Sequence, residues 1–236
     1  MRQSPIKAIL FDMDGTLIKH TWQYEDITVA LFNRFADALS PLTRDEFYEV
    51  FWQKNVDMWY MMVDGAIDGD TAQRYSYINT LRALGKNTAL ADKMVSVWVS
   101  LVLAEASPFE DTFSVLEALR QKYTVGIVTN GFSTMQRAKI NHYGLDDHVD
   151  FSMVSEEVGF HKPDVRIFKA ALHRAGDILP DEAVFIGDNL ETDIAGALAC
   201  GIHAVWVGNG DGNIAPPNGV PAIRHLSDLP ALLSNL

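Results

Sequence analysis

Cysteine is almost missing from this chain. Cys200 is the only one in 236 residues, so no intramolecular disulfide can form, which fits a reducing compartment. It lies in a run of small residues and reads as packing rather than as a catalytic thiol. Basic residues are also scarce: 19 Lys and Arg stand against 31 Asp and Glu, for a formal net charge of −12. That balance argues against a nucleic acid polymer and against an anionic membrane surface, since both are held by clustered cations. No apolar stretch is long enough for a signal sequence or a membrane span, so the expectation is a soluble, cytoplasmic protein. Internal repeats and low-complexity segments are lacking too. What is present is ordinary for a globular chain, with 48% hydrophobic and 21% charged residues, enough for one large domain or a core plus a smaller one.

Five short apolar runs read as buried parallel strands, because they lack the polar alternation of a half-exposed sheet. They cover Ile6–Phe11, Thr124–Val128, Phe151–Val154, Ala183–Ile186 and His203–Val207. Helical patterns precede and separate the later runs, one marked by Phe113, Leu116 and Leu119, another by Val165, Phe168, Leu172 and Ala175 with Gly176 as its stop. Strand–helix alternation of this kind predicts an α/β fold with a Rossmann-like, doubly wound parallel sheet. After Leu17, however, about ninety residues show helical periodicity and no convincing strand before the chain returns at Ser107-Pro108-Phe109. This predicts a discontinuous core domain, 1–17 plus 107–236, with an all-helical domain inserted at 18–106. Gly208 to Pro221 reads as a surface loop, and Leu226–Leu236 as a closing helix.

Four polar motifs follow predicted strands. Asp12 and Asp14 end the first, within Phe-Asp-Met-Asp-Gly-Thr. Thr129-Asn130-Gly131 follows the second, Lys162-Pro163 comes after the third, and Gly187-Asp188-Asn189-Leu190-Glu191-Thr192-Asp193 follows the fourth. In an open α/β sheet the ligand crevice lies beyond the carboxyl ends of the strands. Two acids placed there invite a hard divalent cation and leave a carboxylate for chemistry. A phosphate monoester repels such a carboxylate, so attack needs cations. Lys162 supplies one as a point charge, and the Thr129 hydroxyl with the backbone N–H groups near Asn130 and Gly131 can donate hydrogen bonds. Taken singly, each motif reads equally well as a strand-end turn or a helix cap. Four together, in order at converging strand ends, point to a site.

These motifs resemble those of the haloacid dehalogenase-like (HAD) phosphohydrolases. The resemblance implies that Asp12 is the nucleophile and forms an aspartyl-phosphate, with Asp14 as general acid and then general base. It implies a Mg²⁺ held by Asp12, the Asp14 backbone carbonyl and Asp188, with Asp193 acting on that site through water or Lys162. The helical insertion would be a cap. Related dehalogenases lack an acid two residues after the nucleophile, phosphomutase-like relatives carry Glu-Asp where this chain has Gly187-Asp188, and phosphonatases use a cap lysine. Lys19 and Lys54 are available for that last role but read as surface residues.

Hydrolysis of a small-molecule phosphate ester is therefore expected. A phosphoryl-transferring, phosphomutase-like enzyme and a non-catalytic phosphate-binding module on the same fold are the alternatives. The fourth motif together with Trp206 is similar to the 5′-nucleotidase and N-acylneuraminate-9-phosphatase branch, which implies a nucleoside monophosphate or a sugar phosphate.

In the insertion, Phe47, Phe51, Met58 and Met62 form one helical stripe, and Trp52, Val56, Trp59 and Val63 a second. Aromatics dominate small cores, so both stripes are expected to be packed; the alternative is a stacking surface for a flat substrate. His20, Trp22 and Tyr24 fall near the start of the insertion, Phe132 and His161 beside the core motifs. The chain is expected to be a monomer or a homodimer.

Overall fold

The computed structural model describes residues 5–19, 23–208 and 215–234. The chain divides into two compact units, Met1–His20, Ser107–Gly131 and Lys139–Leu236 in one, Thr21–Ala106 and Phe132–Ala138 in the other. The second unit thus takes in 132–138 from beyond the predicted insertion.

The first unit is built on a parallel six-stranded sheet. Its strands are β1 (Ala8–Phe11), β4 (Thr124–Thr129), β5 (Phe151–Val154), β6 (Ala183–Gly187), β7 (His203–Val207) and β8 (Ala222–Ile223), in the spatial order β5-β4-β1-β6-β7-β8. Every residue of β1 and β6 is buried, as a central parallel strand covered on both faces requires. Register aligns Phe11 with Ile127 of β4 and with Ile186 of β6, so the residues just beyond these strands share one edge of the sheet. Strand order departs in opposite directions from β1, which makes the end of β1 the topological switch point and the place for a ligand.

Helices α6 (Thr112–Arg120), α7 (Ser133–Tyr143), α8 (Ser155–Val158), α9 (Val165–Arg174), α10 (Gly196–Cys200) and α11 (Leu229–Leu233) connect and follow the strands. Apolar faces close the core: Ile167, Phe168 and Ala171 of α9 pack with Leu10, Phe185 and Ala204. Phe168 meets Phe185 edge-on at 5.2 Å between ring centroids. Cys200 packs against the same cluster, and burial pushes its thiol pKa up, as befits an unreactive packing group. The tail is not one helix but a single 3₁₀ turn, Leu226–Asp228, followed by α11.

A two-stranded antiparallel ribbon, β2 (Ile18–Lys19) with β3 (Ser107–Pro108), joins the points where the chain leaves and re-enters this unit. The buried Thr112 hydroxyl donates to the Leu17 carbonyl at 2.8 Å and pins the exit.

The second unit is helical, with α1 (Tyr24–Arg34), α2 (Ala36–Leu39), α3 (Arg44–Val63), α4 (Gly69–Ala83) and α5 (Ala91–Glu105). Thr43 and Glu46 form a reciprocal capping box that starts α3, and the Asp68 side chain caps α4. Phe47 and Phe51 sit in the core with Leu31, Tyr77, Leu81 and Trp98. Phe51 and Tyr77 stack at 5.0 Å. The second stripe departs from the packing expectation: Trp52 is 45% and Trp59 52% exposed. One face of a 20-residue helix satisfies this small core, and the other is left outside it. No helix among the described residues is long and apolar enough to cross a membrane.

Candidate active site

The edge of the sheet beyond β1, β4 and β6 gathers most of the polar residues singled out in the sequence. Asp12 leaves β1 with its backbone N–H donating to the Ile186 carbonyl at 2.9 Å, so its position is fixed by the sheet itself. Asp12, Asp188 and Asp193 place carboxylate oxygens within 4.8 Å of one another. Lys162 reaches into the same cluster, with Nζ 2.6 Å from Asp12 Oδ1 and 2.7 Å from Asp193 Oδ1, and 5.2 Å from the centroid of the Phe185 ring.

The electrostatics follow from this crowding. Burial pushes the Asp12 carboxyl up to about 8, with Lys162 pulling the other way and Asp193 adding to the rise. Asp188 is pushed up to about 6, again by burial first and by Asp193 next. Burial also opposes the charge on Lys162, but the attraction of Asp12 and Asp193 outweighs it and holds the ammonium pKa above its usual value. Three carboxylates against one ammonium leave a formal excess of two negative charges in a confined space. The donor set is all oxygen, which suits a hard divalent cation, and the strain on Asp12 and Asp188 is of the kind such a cation relieves. The residues present therefore fit Mg²⁺.

The surroundings hold this cluster in place. Gly15 turns the chain after the two acids with φ +83, and a Cβ there would collide with the Asp188 carboxylate. Gly187 is constrained similarly, because a side chain would run into Asp193. Asp193 accepts from the Asn189 backbone N–H at 3.1 Å as well as from Lys162, so it is engaged as a scaffold for the lysine. It sits on a π-helical segment, Leu190–Ala195, whose first turn is capped by the Asn189 side chain. The Trp206 indole N–H donates to the Asp188 carbonyl at 2.7 Å and so anchors the backbone of that residue.

The second motif serves largely to build the lysine loop. Asn130 pairs its side-chain amide with the Lys162 backbone in both directions, Nδ2 to the carbonyl at 2.9 Å and Oδ1 from the N–H at 2.8 Å. The Gly131 N–H donates to the Ser155 hydroxyl at 3.1 Å. Thr129 ends β4, buried beside this pair. Asp14 stands apart from the carboxylate cluster but close enough for its charge to act on both Asp12 and Asp188. It is ion-paired with Lys139 of α7, a residue that sequence reading did not single out: Nζ lies 2.8 Å from each Asp14 oxygen.

Other residues named from the sequence fall elsewhere. Phe132 belongs with the helical unit, His161 is exposed, Lys54 pairs with Asp57 on the surface, and His20 and Trp22 lie outside the described residues. Tyr24 packs among Phe51, Trp52 and Trp98.

Comparison with known proteins places the chain in a family. A sequence model of the haloacid dehalogenase-like hydrolase family matches residues 6–201. Pyrimidine 5′-nucleotidase YjjG of Escherichia coli is 29% identical over 199 residues, 84% of each chain. N-acylneuraminate-9-phosphatase of Rattus norvegicus is 27% identical over an alignment covering all of this chain and 97% of the other. Among solved structures, 2-haloacid dehalogenase from Pseudomonas syringae pv. Tomato DC3000 superposes with a TM-score of 0.77 at 27% identity, covering 98% of this chain and 99% of that one. The chain belongs to the haloacid dehalogenase-like hydrolase family. Within it, the chain is a phosphatase, a hydrolase of small phosphorylated metabolites.

Proposed function

We propose that the protein hydrolyses a phosphate monoester in two steps at Asp12, with Mg²⁺ as cofactor and a nucleoside monophosphate or sugar phosphate as substrate. The observation that carries this reading is the position of Asp12 at the switch point of the sheet, ion-paired to a buried lysine and grouped with Asp188 and Asp193. In this reading Asp12, Asp188 and the Asp14 backbone carbonyl hold the cation, which when bound offsets the charge of the phosphoryl group and of the carboxylates facing it.

The Asp12 carboxylate attacks phosphorus, and Asp14 delivers a proton to the departing alkoxide oxygen. The resulting aspartyl-phosphate is opened by water, whose proton passes to Asp14. Lys162 holds a phosphoryl oxygen as well as Asp12, and Asp193 keeps that lysine charged and aimed. The Thr129 hydroxyl and the amides at Asn130 and Gly131 supply further donors; the Gly131 N–H would exchange Ser155 for phosphate. The presence of Asp14, which sets the site apart from a dehalogenase, favours an oxygen leaving group that needs protonation. The choice of substrate class rests on the named activities of the relatives.

The test is phosphate release with and without Mg²⁺ across aryl phosphate, nucleotides, FMN and sugar phosphates, for the wild type and Asp12→Asn. Release that needs Mg²⁺ and vanishes in the variant is expected. Retained turnover in Asp12→Asn would remove Asp12 as nucleophile, and release favouring neither nucleotides nor sugar phosphates would overturn the substrate assignment.

A further inference from the structure

We infer that Lys139 is a positioning residue for the water-dependent half of the reaction, fixing the Asp14 carboxylate as the proton acceptor. Lys139 is 3% exposed, and its ammonium contacts both oxygens of Asp14 at 2.8 Å. An ammonium bridging both oxygens of a carboxylate fixes the plane and rotamer of that short side chain. Tyr143 lies one helical turn further along α7 and feels the Asp14 charge, so the carboxylate that Lys139 holds lies near the C-terminal half of that helix. A buried lysine there needs a counter-charge, and a catalytic carboxylate needs a fixed direction; this pair meets both requirements.

The inference rests on the two-step reading above and concerns its second step. Water attacks phosphorus of the aspartyl-phosphate, the bond from phosphorus to the Asp12 oxygen breaks with its electrons returning to that carboxylate, and the water proton passes to Asp14. Without Lys139 the acceptor is misdirected and this step slows. With p-nitrophenyl phosphate the first step does not depend on a proton donor, because nitrophenolate leaves unaided.

Rapid-mixing assays of the Mg²⁺-loaded enzyme with p-nitrophenyl phosphate separate the steps. Lys139→Met is expected to give a burst of nitrophenolate approaching one per active site at a rate close to wild type, followed by steady turnover reduced roughly 10²-fold. Lys139→Arg should recover part of that turnover. A defect of folding alone would shrink the burst and the steady phase together, and that result would overturn the inference.

Asp14→Asn and Asp14→Asn/Lys139→Met are run alongside. The double variant removes both charges of the pair and should match Asp14→Asn in both phases; further slowing in the double would also refute a role through Asp14. If Asp14→Asn itself shows no burst, the two-step reading fails. If it bursts and Lys139→Met does not, that reading stands and the role given to Lys139 falls.

Discussion

Gly15 is held at φ +83 with no room for a side chain, since a Cβ would run into the carboxylate of Asp188. A residue with no side chain thereby governs where the proposed cation ligand Asp188 can sit. Gly15→Ala imposes a left-handed backbone on an L side chain and pushes Asp188 aside at once. The Mg²⁺ concentration for half-maximal activity should rise roughly 10–100-fold, the usual scale when the support of a metal ligand is disturbed. Asp188→Asn should raise it at least as far, because it removes a ligand charge outright. Titrating activity against Mg²⁺ in both variants checks this. An unchanged requirement in Asp188→Asn would remove that residue from the metal site. An unchanged one in Gly15→Ala alone would show that the turn has slack.

At the scale of elements, the same close approach recurs inside the sheet. Gly126 of β4 lies in register with Phe151 of β5, and the ring covers the place a Cβ would occupy. Gly126→Val should therefore cost about 1–3 kcal/mol by overpacking, read as a lower urea midpoint, even though valine favours strands. An unchanged midpoint would mean that Phe151 repacks freely.

The five long strands were legible because a strand covered on both faces must be apolar throughout, and each begins and ends within two residues of its apolar run. Strands β2, β3 and β8 were not, since two residues carry no period. In the site, Asp12, Lys162, Asp188 and Asp193 could be singled out because strand ends converge by topology. Lys139 could not, for it is a lysine within a helix whose acidic partner lies 125 residues away in sequence. The Trp52–Trp59 stripe misled for a related reason. Apolar periodicity reports that a face can be buried, not that its own domain has a core to receive it.

The whole molecule carries a net charge of −12, and part of that excess is concentrated at the cluster of Asp12, Asp188 and Asp193. Two effects of magnesium on stability must therefore be separated. Any salt screens the general self-repulsion of an acidic protein, a response that depends on ionic strength and not on a site. A cation bound by the folded state adds a stabilisation that grows with its concentration, reaching about 2.7 kcal/mol at a hundredfold excess over Kd. Thermal unfolding in MgCl₂ and in NaCl of equal ionic strength should show a higher Tm in MgCl₂ for the wild type. In Asp188→Asn the two curves should draw together, because the screening remains while the site has lost a ligand. Equal Tm values in both salts for the wild type would mean that the acidic cluster holds no divalent cation. The carboxylates would then have to be accommodated by Lys162 and by protonation alone, in keeping with the upward pull of burial on Asp12 and Asp188.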